Sequence, residues 1–285
     1  MVLRVQEKEG RGKELVIKAI HQSMLNSIFR CGESFRRRYI ELEIIPPGIA
    51  AGRGTGLHYA NRVNLTQKMK TGNDLSLSDI KDATRDGYIK AFSNGVFIPK
   101  EKLSKKTTLL NDGLNDSLRC AEVYKKNIAP EIIPKAVEEP FNVDIGLELP
   151  LAGTIDIERT AKIDDLKTAA KKWSDGQIEK EIQPILYSLA HEKITGTKPV
   201  FKYHIMICRR GKDNKSTSAD YQTQEIIASE DQYTALIYKA RLFIEAIQKG
   251  VFMPANPASY WCSEVFCGYH RTCRFCGHQP AKRWI

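Results

Sequence analysis

The chain contains 285 residues, of which 42% are hydrophobic and 27% are charged, and its formal net charge at pH 7 is +10. This length accommodates one large domain or two small ones, and the composition is that of an ordinary globular protein, which excludes a disordered or fibrous chain. The N-terminus lacks the apolar run of a signal peptide, and no segment reaches the ~20 apolar residues that cross a bilayer. We expect a cytoplasmic protein without membrane association, and the basic surplus favours a polyanionic partner such as nucleic acid.

The N-terminal part of the chain is predicted to be helical. Residues 21–41 form a candidate helix with Ser23 as its N-cap, and "GIAAGRGTGLHYANRV" predicts a second helix after a Pro-Pro break. Residues 65–130 are highly charged and mostly helical in pattern. We therefore expect a single domain over residues 1–285 that contains a helical insertion at residues 65–130.

Residues 131–228 are expected to form a mixed α/β core. Their first part alternates between apolar and polar residues and predicts three consecutive strands. A helix follows, in which Ser174 and Gln177 are spaced as a capping box and Pro184 predicts a kink. A strand reached through this helix, a further strand and a capped helix over residues 229–250 complete the predicted order, so the helix is a crossover connection.

The stretch "GTIDIERTAKIDDLKTA" carries more carboxylates than a hairpin needs. If Arg159 and Thr160 form the tip of a two-residue turn, Asp156 and Asp165 lie on one face of the hairpin, one diagonal step apart. Lys167 shares this face because it follows Asp165 by two residues on the same strand. The sequence therefore predicts that two carboxylates and one ammonium group converge.

This convergence suits phosphodiester hydrolysis. Two close carboxylates repel each other unless a cation lies between them, and oxygen ligands of this kind suit Mg²⁺ or Mn²⁺. A lysine beside the metal could activate a water and stabilise developing charge. Asp164 points to the other face of the hairpin. The alternative is a surface hairpin whose Asp–Lys pair contributes little.

"GTIDI" followed by "IDDLKT" resembles the catalytic signature of the PD-(D/E)xK nuclease superfamily, in particular its RecB-like exonuclease branch. "RGTGLHYAN" resembles the G-x-x-x-H helix of that branch, and "QPILYSLAHE" resembles its Q-x-x-x-Y helix, in the same order along the chain. The resemblance implies a restriction-endonuclease-like core, in which helices flank a mixed central sheet. It also implies a divalent-metal-dependent deoxyribonuclease, expected to be an exonuclease in recombination, repair or phage DNA processing.

The resemblance assigns roles to individual residues. The implied metal ligands for Mg²⁺ or Mn²⁺ are His58, Asp156, Asp165 and the carbonyl of Leu166. Lys167 would activate the attacking water, and Gln183 and Tyr187 would contact the DNA strand or help to place Lys167. Glu138 or Glu139 resembles an upstream acid that some members have. The implied substrate is single-stranded DNA or duplex ends, in a bacterial, archaeal or phage-infected cell, where a recombination or helicase partner could act with it.

Clustered cysteines near the C-terminus indicate a metal site. The chain has seven cysteines, and four of them fall in its last quarter, namely Cys262, Cys267, Cys273 and Cys276. In a cytosol-like sequence, clustered thiols bind metal more often than they form disulfides. The remaining Cys120 and Cys208 are most simply buried small hydrophobic residues.

One branch of the resembled family holds a 4Fe–4S cluster with one N-terminal and three C-terminal cysteines. The corresponding residues here are Cys31, Cys262, Cys267 and Cys273, within a cysteine region at residues 255–285 that closes against the Cys31 segment. Two departures are a C-x4-C spacing in place of C-x2-C, and Gly32 where a proline often follows the first cysteine. The four C-terminal cysteines, with His270 and His278 nearby, could instead hold zinc, or no metal binds.

The sequence is also compatible with a second function. The chain could be a non-catalytic nucleic-acid-binding protein, in which zinc stabilises the C-terminal cysteine cluster and the hairpin carboxylates are incidental. Hydrolysis of DNA in the presence of a divalent metal separates the two functions.

Overall fold

A computed structural model describes residues 3–5, 15–210 and 216–276. The α-helices within these ranges are α1 (Gln22–Arg30), α2 (Gly32–Phe35), α3 (Ile49–Thr71), α4 (Leu77–Ala91), α5 (Lys106–Val123), α6 (Ile182–Thr195) and α7 (Glu230–Gln248). The strands are β1 (Leu3–Val5), β2 (Leu15–Ile17), β3 (Ala136–Val143), β4 (Leu151–Arg159), β5 (Lys162–Ala169), β6 (Val200–Arg210) and β7 (Ser216–Ile226). None of the described helices is both long and apolar enough to cross a membrane.

The main sheet has five strands in the order β3-β4-β5-β6-β7. Neighbouring strands are antiparallel except β5 and β6, which are parallel and are joined through α6. A parallel pair requires such a crossover, whereas antiparallel neighbours can be joined by short turns. Strands β1 and β2 form a separate antiparallel pair. This mixed α/β arrangement confirms the predicted fold class.

Helices cover both faces of the sheet and create two hydrophobic clusters. On one face, α1, α6 and α7 contribute side chains such as Leu25, Leu186 and Phe243. On the other face, α3, α4 and α5 pack with Leu166 and Met206 of the sheet. Each fully buried side chain of this size stabilises the fold by about 1.5–3 kcal/mol. The helical segment predicted at residues 65–130 therefore rests directly on the sheet.

The turn between β4 and β5 is displaced by one residue from its predicted position. Arg159 pairs with Lys162, so the turn consists of Thr160 and Ala161, and the predicted tip of Arg159 and Thr160 is wrong. Ala161 adopts the left-handed conformation, with φ of 55°. Moving a two-residue turn by one residue changes the register by two, so every side chain keeps its predicted face.

Two predicted helix starts are also wrong. Helix α1 begins at Gln22 after His21, so Ser23 lies inside the helix and is not its N-cap. Helix α6 begins at Ile182, and a short 3₁₀ turn at Gln177–Lys180 replaces the predicted capping box. Pro184 is consequently the third residue of α6. Backbone N–H groups in a first turn have no intrahelical acceptor, so the proline is tolerated there without a kink.

Candidate metal-binding active site

The candidate site lies where β4 and β5 separate. Their backbone pairing runs from Arg159–Lys162 to Ile157–Asp164. Beyond this point β4 continues to pair with β3, and β5 continues to pair with β6. Asp156 and Asp165 are the next residues on the two strands, so both carboxylates stand at the opening of the sheet.

Asp165 is held by residues from β5 and α6. Its Oδ2 lies 2.6 Å from Lys167 Nζ, and its Oδ1 accepts a hydrogen bond of 2.7 Å from Gln183 Nε2. Lys167 Nζ in turn donates to Gln183 Oε1 at 2.8 Å. The Tyr203 hydroxyl also donates to Gln183 Oε1, at 3.3 Å. Gln183 therefore bridges the acid and the lysine, and only 8% of its surface is exposed.

Asp156 is held from the opposite side of the sheet by α3. His58 Nδ1 lies 2.9 Å from Asp156 Oδ2. Helix geometry explains the approach, because Gly54 and His58 stand one turn apart on the same face of α3. The structure thus brings together residues from α3, β4, β5 and α6, which are distant in sequence.

The three central ionisable groups shift one another's pKa. Burial raises the pKa of Asp165 to about 6; the Asp156 carboxylate adds to this shift, and the Lys167 ammonium opposes it. Burial also favours neutral Asp156, but the hydrogen bond and charge of His58 outweigh it and lower the Asp156 pKa. Burial disfavours the imidazolium of His58, but the Asp156 carboxylate outweighs it and raises the His58 pKa. Clefts with such mutual shifts are typical of functional sites.

Glu138, and not Glu139, faces this site. The register places Glu138 between the pairs Val137–Ile157 and Glu139–Ile155, so it stands beside Asp156. Burial and the charge of Asp156 raise the pKa of Glu138, whereas Glu139 is exposed. Glu138 also has a φ of 56°, a strained conformation for a residue with a side chain. Backbone strain of this kind is concentrated at functional sites.

Leu166 and Tyr187 lie on either side of this network. The Leu166 side chain is buried in the cluster beneath α3, between Asp165 and Lys167 on β5. Burial raises the pKa of Tyr187, and hydrogen bonds with the Thr154 backbone and the Gln183 side chain oppose the shift. The Tyr187 ring also packs edge-on against Phe141, with ring centroids 5.3 Å apart. Tyr187 therefore contacts Gln183 and supports it.

The donor set fits a hard divalent cation. Carboxylates, a backbone carbonyl and an imidazole are ligands that Mg²⁺ and Mn²⁺ accept. Asp165 Oδ2 is buried and accepts no hydrogen bond from the described residues, although the charged Lys167 Nζ is close to it. A buried carboxylate oxygen in that situation has free capacity to bind a metal.

A second site lies where the segment around Cys31 meets the C-terminal segment of the described chain. A cavity of about 640 Å³ is lined by five cysteines, namely Cys31, Cys262, Cys267, Cys273 and Cys276. Burial raises the pKa of Cys267, and the neighbouring thiols of Cys31, Cys262 and Cys273 add to the shift. Cys262 Sγ and Cys276 Sγ are 3.3 Å apart. Ligand atoms of Cys262, His270 and Cys276 lie within 4.8 Å of one another and could hold a metal ion. His278 lies outside the described residues.

Gly32 explains how Cys31 reaches this cavity. The Gly32 N–H donates to the Met253 carbonyl at 2.6 Å, a hydrogen bond that proline could not form. A Cβ at position 32 would lie 2.6 Å from the Met253 nitrogen, so the two segments approach too closely for a side chain. The Ala255 N–H then donates to Cys31 Sγ at 3.3 Å.

Sequence reasoning missed two buried contacts outside these sites. Asp164, on the other face of the hairpin, contacts His204 Nε2 at 2.7 Å, and His204 Nδ1 contacts the Tyr221 hydroxyl at 2.9 Å. Cys120 and Cys208 are both buried, as expected, and their sulfurs are 2.9 Å apart. Contacts between residues so distant in sequence have no local signature.

Comparison with known proteins supports the fold. No protein-family model matches the sequence, and no curated protein matches it. The crystal structure of a candidate exonuclease from Eubacterium rectale is similar, with a TM-score of 0.52 and 11% identity over 94% of this chain and 91% of that one. The structure of SSO0001 gives a TM-score of 0.39 and 14% identity over 92% and 88% of the two chains, which is too distant to carry an argument. The first similarity shows that the two chains share a fold.

Proposed function

We propose that this protein is a divalent-metal-dependent deoxyribonuclease of the PD-(D/E)xK type, in the RecB-like branch. The observation that carries the proposal is Asp165, held between Lys167 and Gln183 beside the Asp156–His58 pair. The Eubacterium rectale protein of similar fold, named as a candidate exonuclease, is compatible with it. The net charge of +10 suits a DNA substrate.

The residues of this chain divide the work of hydrolysis. Asp156 and Asp165, with His58 and the Leu166 carbonyl, would hold Mg²⁺ or Mn²⁺. When bound, such an ion lowers the pKa of a coordinated water and offsets phosphate charge. Lys167 would orient and activate the attacking water, or its Nζ would donate to the phosphate oxygen that gains charge.

Gln183 and Tyr187 act on the lysine and the acid. Gln183 accepts from Lys167 and donates to Asp165, so it fixes the distance between the two groups. The Tyr187 ring is wedged against Phe141 and supports Gln183. We assign both as positioning residues, and Glu138 as a third acid beside Asp156.

The cysteine cavity would hold a 4Fe–4S cluster on Cys31, Cys262, Cys267 and Cys273. Thiolates are the ligands of such clusters, and this set joins the N-terminal segment to the C-terminal one. A specific observation favours zinc as the alternative, namely the close approach of Cys262, His270 and Cys276. We further propose that residues 1–285 form one nuclease domain with residues 65–130 as its insertion, since α3 and α5 share a cluster with the sheet.

Replacing Lys167 tests the proposed chemistry. Lys167→Ala is expected to slow DNA cleavage by about 10²–10⁴-fold, because a positioned acid–base group contributes that much. DNA binding should persist. The measurement is a time course with Mg²⁺ or Mn²⁺ on end-labelled DNA, single- and double-stranded, linear and circular. Lys162→Ala, on the same strand at the turn, is the matched control.

Three outcomes would change the proposal. Wild-type rates for Lys167→Ala would remove Lys167 from the mechanism. Cleavage of circular DNA would overturn the exonuclease assignment and leave the nuclease one intact. DNA binding without hydrolysis under any divalent ion would favour the non-catalytic nucleic-acid-binding protein.

A further inference from the structure

The proposed active site opens into a groove of about 480 Å³ beside α3. Side chains of α3 between residues 51 and 62 form one wall, and Glu138 of β3 contributes to the other. His58 lines the groove and contacts Asp156 at 2.9 Å. The groove therefore reaches the proposed active site at His58 and Glu138.

Near the start of α3, the residues that line the groove have small side chains. Ala51, Gly54 and Thr55 line it there, and none of them has a large side chain. A Cβ placed on Gly54 would meet no heavy atom within 4 Å, so this part of the wall faces open space. An extended ligand can lie along the helix and reach His58 without displacing protein atoms.

A cation lines the same wall. Arg62 is exposed and, among the described residues, forms no ion pair. Its guanidinium carbon lies 5.0 Å from the centroid of the Tyr59 ring. Tyr59 is itself immobilised where α3 crosses α4, because a Cβ on Gly87 would lie only 2.6 Å from the Tyr59 Cβ. A guanidinium stacked on a fixed ring is preorganised to bind phosphate.

We propose that this groove binds the sugar–phosphate backbone of the DNA strand, and that Arg62 holds a phosphate next to the one that is cleaved. The inference rests on the proposed nuclease function. Arg62 follows His58 by four residues, about 6 Å along the helix, so it stands beside the metal site without belonging to it. His58 and Glu138 then form the cation-binding end of the groove, and Arg62 forms its anion-binding end.

Salt dependence of DNA binding tests the contact. Arg62→Ala should bind DNA about tenfold more weakly, because a charge-assisted hydrogen bond is lost. The slope of log affinity against log salt should become shallower by about 0.7 for single strands or about 0.9 for duplex DNA, the share of one phosphate. Separate single-strand and duplex titrations show which form the groove takes. Lys70→Ala, an exposed cation further along α3, should change neither quantity.

Two further variants keep the test specific. Arg62→Lys should retain the salt slope of the wild type, because lysine keeps the positive charge. A purely structural role for Arg62 would not predict that the slope depends on this charge. A second test uses a series of oligonucleotides, each with a neutral methylphosphonate in place of one phosphate. At one position this replacement should weaken binding by the wild type but leave binding by Arg62→Ala unchanged. Thermal midpoints of all variants establish that they are folded.

The outcomes separate this inference from the proposed function. A wild type that cleaves DNA, with an unchanged slope and affinity in Arg62→Ala, would overturn the Arg62 contact alone. An Arg62-dependent slope in a protein that never cleaves DNA would support the contact and remove the nuclease function.

Discussion

At the scale of single residues, Asp165 combines nearly complete burial with two charged neighbours. It is 2% exposed, and burial beside Asp156 raises its pKa to about 6. The metal-free fold favours the neutral carboxyl, whereas binding of Mg²⁺ or Mn²⁺ requires the ionised one. Ionised Asp165, the residue most central to the proposed chemistry, therefore destabilises the fold until a cation binds.

Asp165→Asn should stabilise the metal-free protein. Folding raises the pKa of Asp165 from its ordinary value of 3.8 to about 6. Neutral Asp165 therefore stabilises the fold fully below pH 3.8, and this contribution is lost as the pH rises through about 6. The variant should therefore be more stable than the wild type by up to about 3 kcal/mol above pH 6, and the difference should vanish near pH 4. Urea unfolding with EDTA at several pH values measures this. Added Mn²⁺ should stabilise the wild type but not the variant.

Asp156→Asn provides a control of opposite sign. Folding lowers the pKa of Asp156, so its ionised carboxylate stabilises the fold at any pH above the ordinary pKa of an aspartate. Replacing the carboxylate with an amide should therefore destabilise the protein at neutral pH. Equal effects of the two substitutions would contradict the assigned environments of the two carboxylates.

The sequence was sufficient to bring Asp156, Asp165 and Lys167 to one face, because side-chain alternation survives a displaced two-residue turn. It was not sufficient to choose between Glu138 and Glu139. That choice depends on the positive φ of Glu138 and on the pairing of β3 with β4, which skips Glu138 between two paired residues.

At the scale of elements, a buried ion pair ties α3 to α5. Arg53 Nη1 contacts Asp116 Oδ2 at 2.9 Å, and Arg119 Nη2 contacts Asp116 Oδ1 at the same distance. Asp116 is fully buried and Arg53 is nearly so. Because α3 also carries His58, this pair helps to fix the helix that reaches the candidate active site.

Asp116→Asn should destabilise the protein by about 3–5 kcal/mol, because it leaves the Arg53 charge buried and uncompensated. Glu122→Gln is the matched control on the same helix. Glu122 forms an exposed ion pair with Lys81, and its loss should cost no more than about 1 kcal/mol. Urea unfolding of the two variants measures the difference. Similar midpoints would show that the Arg53 charge is solvated or compensated by other groups.

Prediction of elements from sequence succeeded where the hydrophobic pattern is strong. Strands β3 to β7 and helix α7 follow from alternation and capping residues. The predicted cap at Ser229 is confirmed, and it forms a capping box with Gln232. The start of α6 was mispredicted because Ser174 and Gln177 have the capping spacing, yet the chain forms a 3₁₀ turn before α6 begins. Helix α5 buries the polar residues Asp116 and Ser117. The spacing of hydrophobic residues along the helix does not indicate that these two positions are buried.

At the scale of the whole molecule, the Cys31 segment and the C-terminal segment of the described chain meet around the cysteine cavity. Clustered thiols in the sequence predicted a cysteine site, and five cysteines line this cavity. The local spacing gave no sign that Cys276 would contact Cys262, or that Gly32 would admit the C-terminal segment. Both depend on the fold that brings residues 31 and 253 together.

Two cysteine variants distinguish the proposed metals. With a 4Fe–4S cluster, Cys31→Ala should lose iron, acid-labile sulfide and visible absorbance, whereas Cys276→Ala should keep them. With zinc on Cys262, His270 and Cys276, the reverse dependence is expected, and the protein should be colourless. The measurement is metal and sulfide content per chain in protein purified without oxygen.

The cluster also gives a stability readout. Loss of a ligand should lower the thermal midpoint, since metal binding contributes directly to the folding free energy. An unchanged midpoint and metal content in both variants would show that this cavity holds no metal.

The meeting of Cys31 with the C-terminal cysteines also has a consequence for the order of synthesis. The ribosome makes Cys31 long before Cys273, and at ~5–20 residues per second the interval is roughly 10–50 s. During that time the first thiol has no partner with which to hold a cluster, although the hairpin with Asp156 and Lys167 has already been made. The proposed cluster could thus be acquired only after Cys273 has been made, and a chain interrupted before Cys262 would keep its acids but lack three of the four ligands.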